Sequence, residues 1–412
     1  MSGRTPYGSL RSRGGSSTSR GGKNWRGGRF TSGGLDSEQH QRDSQRSRDR
    51  FNPISPPSEA YLAASLKPST TLPLDKPLPE DHPAPIVVLS LNQTLLFRAK
   101  RTSKGANTPL VRPFLSTFLS YLCSTDPDTR KPRFVPVTYS AARAHNVLKL
   151  LAAVDLIPPE RLPAEPYSSD FDSSRSALPY LSRKEEGDVL ECALTRESMG
   201  LSEADYEENV RTTKQLSRVW DKLELGIDNG VKHEEVDELS ELLRKVELGG
   251  KGEEGEKVAS SVEEGAKRTV LLDDEVESAA EYPHSLLPVT TFSVPLFSMP
   301  AAPPFRVGPT TLELPPSHPQ SSDAHLLTLV YLLHRLRYET NVAAALKGGF
   351  VERVRVEVRA EVEKEKGGRA SEEEIEERMV KRGREVCEQA GVKVKREWNG
   401  MWRKEVLEKA KA

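Results

Sequence analysis

Ile86-Val87-Val88-Leu89-Ser90-Leu91-Asn92-Gln93-Thr94-Leu95 decides how this chain is read. Four consecutive apolar residues follow Pro85, and the run turns polar at Ser90. Alternation of apolar and polar residues marks a strand with one wet face. A continuous run marks a strand buried on both faces, as in parallel sheets. Working outward, Phe114, Leu115, Phe118, Leu119 and Leu122 fall on one face of a helix expected from Arg112 to Leu122. Phe134 to Thr138 reads as a second strand, weakened by Pro136. A helix over Ala141 to Val154, a strand over Val189 to Leu194 and a short helix over Lys214 to Leu223 come next. Thr269-Val270-Leu271-Leu272 is a further buried strand ending at Asp273-Asp274, and Leu286 to Thr291 closes the series.

Strands alternating with helices predict an α/β fold, a Rossmann-like parallel sheet with helices on both faces. Such sheets bind ligands beyond the carboxyl ends of their strands. Ser90, Asn92, Ser140, Asp273 and Asp274 all stand just after predicted strands and should converge there.

The flanks differ in composition. Over the whole 412 residues, hydrophobic types make up 36% and charged types 29%, against a globular norm of roughly 45–50% apolar. Residues 1–35 hold seven Arg or Lys and no Asp or Glu, with Tyr7, Trp25 and Phe30 among Gly and Ser. This basic arm is expected to be disordered. Its Arg-Gly-Gly stretches suit phosphate contacts and base stacking on RNA. Residues 36–85, rich in proline, read as an extended linker. Residues 86–346 form the expected folded domain, interrupted at 228–266 by a solvated insertion with twelve acidic and five basic residues. Residues 322–346 make an amphipathic helix, and 347–412 a charged helical tail exposed to solvent, broken near Gly367-Gly368 and Gly391. Ser371 to Glu374 has capping-box spacing. Net charge is -1, so the global balance names no partner. Cys123, Cys192 and Cys387 are too few and scattered for a disulfide framework or a zinc site. No membrane span is expected, because the longest apolar stretch, Leu326 to Leu333, is far below the roughly 18 residues required.

Five segments in order resemble the NLI-interacting-factor-like family. This is the homology domain of phosphatases that act on the RNA polymerase II C-terminal domain, within the HAD superfamily. The first is Val88-Leu89-Ser90-Leu91-Asn92-Gln93-Thr94-Leu95, where that family has Asp-Leu-Asp/Asn-Gly-Thr-Leu. Arg112-Pro113-Phe114-Leu115 opens the next helix, and Tyr139-Ser140 leads to Asn146-Val147. Thr213-Lys214-Gln215-Leu216 supplies a lysine, and Leu272-Asp273-Asp274 an acid pair. The resemblance covers about Ile86 to Phe292. It implies a nucleophile at position 90 and a general acid/base at position 92. It further implies phosphoryl contacts from Ser140 and Lys214, and a magnesium site completed by Asp273 and Asp274. Taken without the resemblance, the acid pair could cap the following helix and Lys214 could be a surface lysine.

The chain departs from the pattern where the chemistry starts. Ser90 occupies the nucleophile position, Asn92 the acid/base position, and Gln93 replaces the usual glycine. Two carboxylates are thereby lost, leaving only a residual magnesium site. The expected role is a non-catalytic protein-binding module. The resemblance supplies a parallel, since the receptor subunit of the mitochondrial presequence translocase carries the same domain and works as a binding protein. Two alternatives stand beside it: a Ser/Thr phosphoprotein phosphatase acting on phosphopeptides like the polymerase tail, and a nucleic-acid-associated adaptor. The compartment stays open between mitochondrion and nucleus.

Overall fold

The computed structural model describes residues 54–98, 108–162, 181, 184, 188–208, 210–225, 253–293, 305–306 and 311–411. The basic arm and residues 228–252 of the acidic stretch lie outside them.

Five strands form the central sheet: β1 Ile86–Leu89, β2 Val135–Tyr139, β3 Cys192–Leu194, β4 Thr269–Asp273 and β5 Leu286–Pro288. Their order is β3-β2-β1-β4-β5, and every pair is parallel. The fold is the Rossmann-like α/β arrangement that the apolar runs predict. All four residues of β1 are fully buried. Pro136 sits inside β2, against the expectation that proline weakens a central strand. Its register partner on β1 is Val87, while the ladder to β3 begins only at Val137. The Pro136 carbonyl accepts from Glu191 on the β3 side. In a parallel strand the missing N–H faces that same side, just before β3 pairs, so no ladder bond is lost. A second sheet of four two-residue strands, Leu96–Phe97, Leu110–Val111, Leu312–Glu313 and Phe305–Arg306, borders the first.

Alternate residues of each strand feed two cores, as the two-residue pleat requires. Val87 and Leu89 of β1, with Val270 and Leu272 of β4, pack under α2 Leu115–Leu122 and α3 Ala144–Ala153. Ile86, Val88 and Leu271 face the other way, toward α1 Glu59–Leu66 and α4 Leu216–Lys222. Helix α1 lies in the stretch read as an extended linker. Tyr61 and Ala64 belong to the core, the Tyr61 hydroxyl reaches Ser285 at 3.2 Å, and Asn341 donates to the Ala64 carbonyl at 2.9 Å. Proline spacing hid an eight-residue helix whose N-cap is Ser58. The acidic stretch needs the same correction at its end. Its last residues belong to α5 Glu253–Arg268, whose Ala266 is fully buried and whose Gly265 lies against the Trp220 ring.

The charged C-terminus departs furthest from expectation. After α6 His325–Leu336 and α7 Val342–Lys347, the chain makes α8 Phe350–Lys366, α9 Glu372–Gln389 and α10 Trp402–Lys411. The breaks fall where the glycines stand: Gly367 and Gly391 adopt φ of 71° and 67°. Ser371 and Glu374 form the expected capping box. These helices are not solvated on every side. Val354, Val358, Ile375, Met379 and Trp402 are buried in the first core, α9 lies along α6, and Trp402 donates to the Val154 carbonyl at 3.1 Å. Composition concealed this because the polar faces carry Arg–Glu pairs, such as Arg355 with Glu372 at 2.7 Å and Arg382 with Glu361 at 2.9 Å. The apolar stripe is narrow but closely packed. No helix among the described residues is long and apolar enough to cross a membrane.

Two histidines of α6 give this packing a pH signature. Burial, then neighbouring arginines, push His325 and His334 down to about 4. In an unfolded chain both titrate near ~6.5, so between those values only the unfolded state takes up the proton. The stabilisation is therefore complete above ~6.5 and lost as pH falls toward about 4, by roughly 2–3 kcal/mol per histidine. Thermal melts should drop steeply across that window, and replacing both residues with glutamine should flatten the drop. An unchanged slope in the double variant would show that other groups control acid sensitivity.

Candidate functional site

The turn after β1 sets the site. Gln93 has φ of 64°, the left-handed conformation that a glycine takes without penalty. A side chain there costs about 1–2 kcal/mol. The turn holds through Gln93 N–H to the Leu96 carbonyl and Phe292 N–H to the Gln93 carbonyl, both 2.6 Å. Beneath it lies Arg112, a residue only 2% exposed. Arg112 donates to the Thr94 and Thr290 carbonyls at 2.9 Å, to the Thr290 hydroxyl at 2.7 Å and to Asp323 at 2.8 Å. The arginine thus ties the β1 turn, the segment after β5 and the start of α6 into one piece.

Ser90, Asn92, Ser140, Lys214, Asp273 and Asp274 all line one cleft of ≈ 360 Å³ at the carboxyl ends of the strands. It opens between β1 and β4, where the connections run to opposite sides of the sheet, the usual crevice of such folds. Lys214 is buried, not a surface lysine. Its Nζ donates to Ser90 Oγ at 2.9 Å and also to Asp273 Oδ2, which accepts from Ser278 as well. Burial pushes the Asp273 carboxyl up, but the Lys214 charge and these hydrogen bonds outweigh it, and the net shift is downward. Asp274 shifts the other way. Desolvation and the adjacent Asp273 charge raise it, opposed by the Thr94 hydroxyl that donates at 2.9 Å. As a helix cap the pair does little: Asp273 accepts from Glu275 N–H at 3.4 Å.

Ser140 follows β2, and its Oγ accepts from Ala142 N–H at 3.2 Å. At the start of α3, both Glu197 oxygens accept from Ala144 N–H at 2.9 Å, and one also receives the Tyr206 hydroxyl at 2.6 Å. A carboxylate from a distant turn therefore does the capping that Arg143 cannot do. Several cleft residues escaped the sequence reading: Arg98, Arg196, Arg211, Thr212 and Ser278. They lie on irregular segments or a short 3₁₀ turn, where no periodicity marks them. Thr94 stood inside the opening motif and was legible there. Arg196 spends its donors on the Asp205, Tyr206 and Val210 carbonyls, so it shapes the wall.

The donor set does not match the magnesium ion that the motif order implies. A hard cation wants several carboxylate oxygens. Ser90 and Asn92 offer neutral groups, Asp273 is already engaged by Lys214 and Ser278, and of the two other carboxylates lining the cleft, Asp274 and Glu275, the first has one oxygen receiving Thr94. Among the described residues, no group of three or more His, Cys, Asp or Glu is arranged to hold a metal ion.

No protein-family model matches the chain. It is similar to an uncharacterized FCP1 homology domain-containing protein of Schizosaccharomyces pombe, with 26% identity over 144 residues. The match covers 34% of this chain and 45% of that protein, so the chain spans less than half the length of this curated relative. The similarity, with the parallel sheet and the order of its motifs, supports a HAD-like phosphatase homology domain.

Proposed function

We propose that this domain binds a protein partner, with a phosphopeptide as the ligand class that suits its cleft, and does not hydrolyse phosphoesters. The observation that carries this reading is the hydrogen bond from Lys214 to Ser90. Serine becomes a nucleophile when a neighbour removes its proton. The neighbour in reach is an ammonium paired with the buried Asp273 carboxylate, and it donates to Ser90 instead of accepting. Asn92 has no exchangeable acidic proton to hand to a leaving group. The phosphatase alternative therefore lacks both a nucleophile and an acid. Resemblance to the import receptor that shares this domain favours a binding role in the mitochondrion, and resemblance to the polymerase-tail phosphatases keeps the nucleus as the second compartment.

Wild-type protein should leave an aryl phosphate unhydrolysed with or without magnesium. The Ser90→Asp, Asn92→Asp double variant should gain magnesium-dependent hydrolysis of roughly 10²-fold or more over that background, a small part of the ~10⁶ that a nucleophile working within a catalytic unit can be worth. Hydrolysis by the wild type, abolished by Ser90→Ala, would sink the binding-only reading.

A further inference from the structure

A second pocket, of ≈ 250 Å³, opens where the C-terminal layer meets α2. It shares no lining residue with the cleft. We infer that this pocket binds a small organic polyanion, a compact carbon frame carrying two or three carboxylate or phosphate groups, and that the ligand ties the C-terminal layer to the rest of the domain.

The walls are held by the protein's own hydrogen bonds. Ser116 donates to the Glu397 carbonyl at 3.3 Å. Thr117 Oγ1 donates to the Lys395 carbonyl and accepts from Lys395 N–H, both at 2.9 Å. These bonds lay the connection between α9 and α10 along α2. The opposite wall is a tight turn. There Asp126 N–H donates to the Lys131 carbonyl at 2.7 Å, Arg130 N–H to the Asp126 carbonyl at 2.9 Å, and Thr125 bridges to Pro132. The turn holds Arg130 at φ of 57°, a left-handed conformation that suits glycine and strains an arginine. Strained residues of this kind recur at ligand clamps.

Charge names the ligand class. Five charged residues line the pocket, and four of them are cations: Arg130, Lys393, Lys395 and Lys409. The fifth is Glu405, which accepts from the Asn399 amide at 3.1 Å and stands 3.8 Å from Lys395. Lys409 donates to the Gly391 carbonyl, a neutral partner that fixes its position. Among the described residues, no carboxylate pairs with Arg130, Lys393 or Lys409. Asp126, beside the pocket, is taken by Arg133 and Arg337. Three cations from three separate stretches of chain are therefore left uncompensated around one volume, and a pocket so lined concentrates anions. Its floor is apolar, from the buried Val392 and Val406. A carbon frame can cover that floor, and a bare inorganic anion cannot. Ser120 and Thr125 add hydroxyls to the lining. The volume lies below the roughly 300–1,000 Å³ of pockets for drug-sized ligands, so the occupant is a small molecule.

Calorimetric titration of the full chain with citrate and with 3-phosphoglycerate tests this, and the tighter binder tells carboxylate from phosphate recognition. Acetate at matched ionic strength should not compete. Arg130→Gly is the decisive variant. It removes the guanidinium and relieves the strained φ, so the melting temperature should hold or rise while affinity falls by about tenfold, the low end for a charge-assisted hydrogen bond because this guanidinium is exposed. Lys393→Ala should weaken binding similarly. Lys404→Ala, on α10 but outside the pocket, should bind like the wild type. No binding of either anion, unchanged affinity in both Arg130→Gly and Lys393→Ala, or an equal loss in Lys404→Ala would each overturn the inference, the last by reducing it to diffuse surface charge.

Discussion

Gly383→Ala should strongly destabilise the packing of α9 on α6. Gly383 lies in α9 against the backbone of α6. A Cβ added there would stand 2.0 Å from the Leu327 carbonyl oxygen and 2.7 Å from its carbon. Both are backbone atoms of a largely buried helix, so no rotamer change relieves the clash and one helix must move away. Overpacking of this kind typically costs about 1–3 kcal/mol and can exceed it when backbone has to shift. We expect the upper end, about 3 kcal/mol, and more for Gly383→Val. Gly368→Ala is the internal control, since a Cβ added at that position would meet nothing within 4 Å and its φ lies outside the left-handed region. Its change should stay within ~0.5 kcal/mol. Urea unfolding of the three proteins makes the comparison. Equal midpoints for wild type and Gly383→Ala would mean that α9 is not held against α6 as described.

The second large effect is expected at Arg112. Its side chain is 1% exposed, and its donors serve two backbone carbonyls, a hydroxyl and the Asp323 carboxylate, with the Phe292 ring 5.6 Å away. Removing one partner from a buried charged network leaves the rest desolvated and unpaired, at roughly 3–5 kcal/mol. Arg112→Ala should therefore cost on that order and loosen the β1 turn as well. Arg112→Lys should recover little, because a single ammonium cannot span four acceptors in different directions. Denaturant melts give the stability change. Hydrogen exchange of Leu95 and Leu96 N–H, both bonded to the Leu91 carbonyl, reports the turn. A loss below ~1 kcal/mol for Arg112→Ala would show that the network contributes little beyond its packing.

By itself, the sequence determined the sheet and the place of the site. Continuous apolar runs at 86–89 and 269–272 can be buried only between two layers of helix, and that forces a parallel sheet. Polar residues following such runs must then meet at one edge, which brings Ser90, Ser140 and the acid pair together however the loops are arranged. Tertiary structure decided the rest. That Lys214 pairs with Asp273, 59 positions away, and that Ser90, 124 positions away, therefore faces a donor and not a base, depends on contacts distant in sequence. No local pattern encodes it. Arg98 and Thr212 were invisible for the same reason: nothing local marks them as lining the cleft, a property of the packed surroundings. The charged C-terminus was misread because composition averages over a helix. Glycine at 383 and a narrow stripe of Val, Ile and Met suffice to seat α9 on α6, while the Arg and Glu that dominate the count only cover its outer face. Burial is decided by which side of a helix meets another element, and that meeting is arranged by the fold.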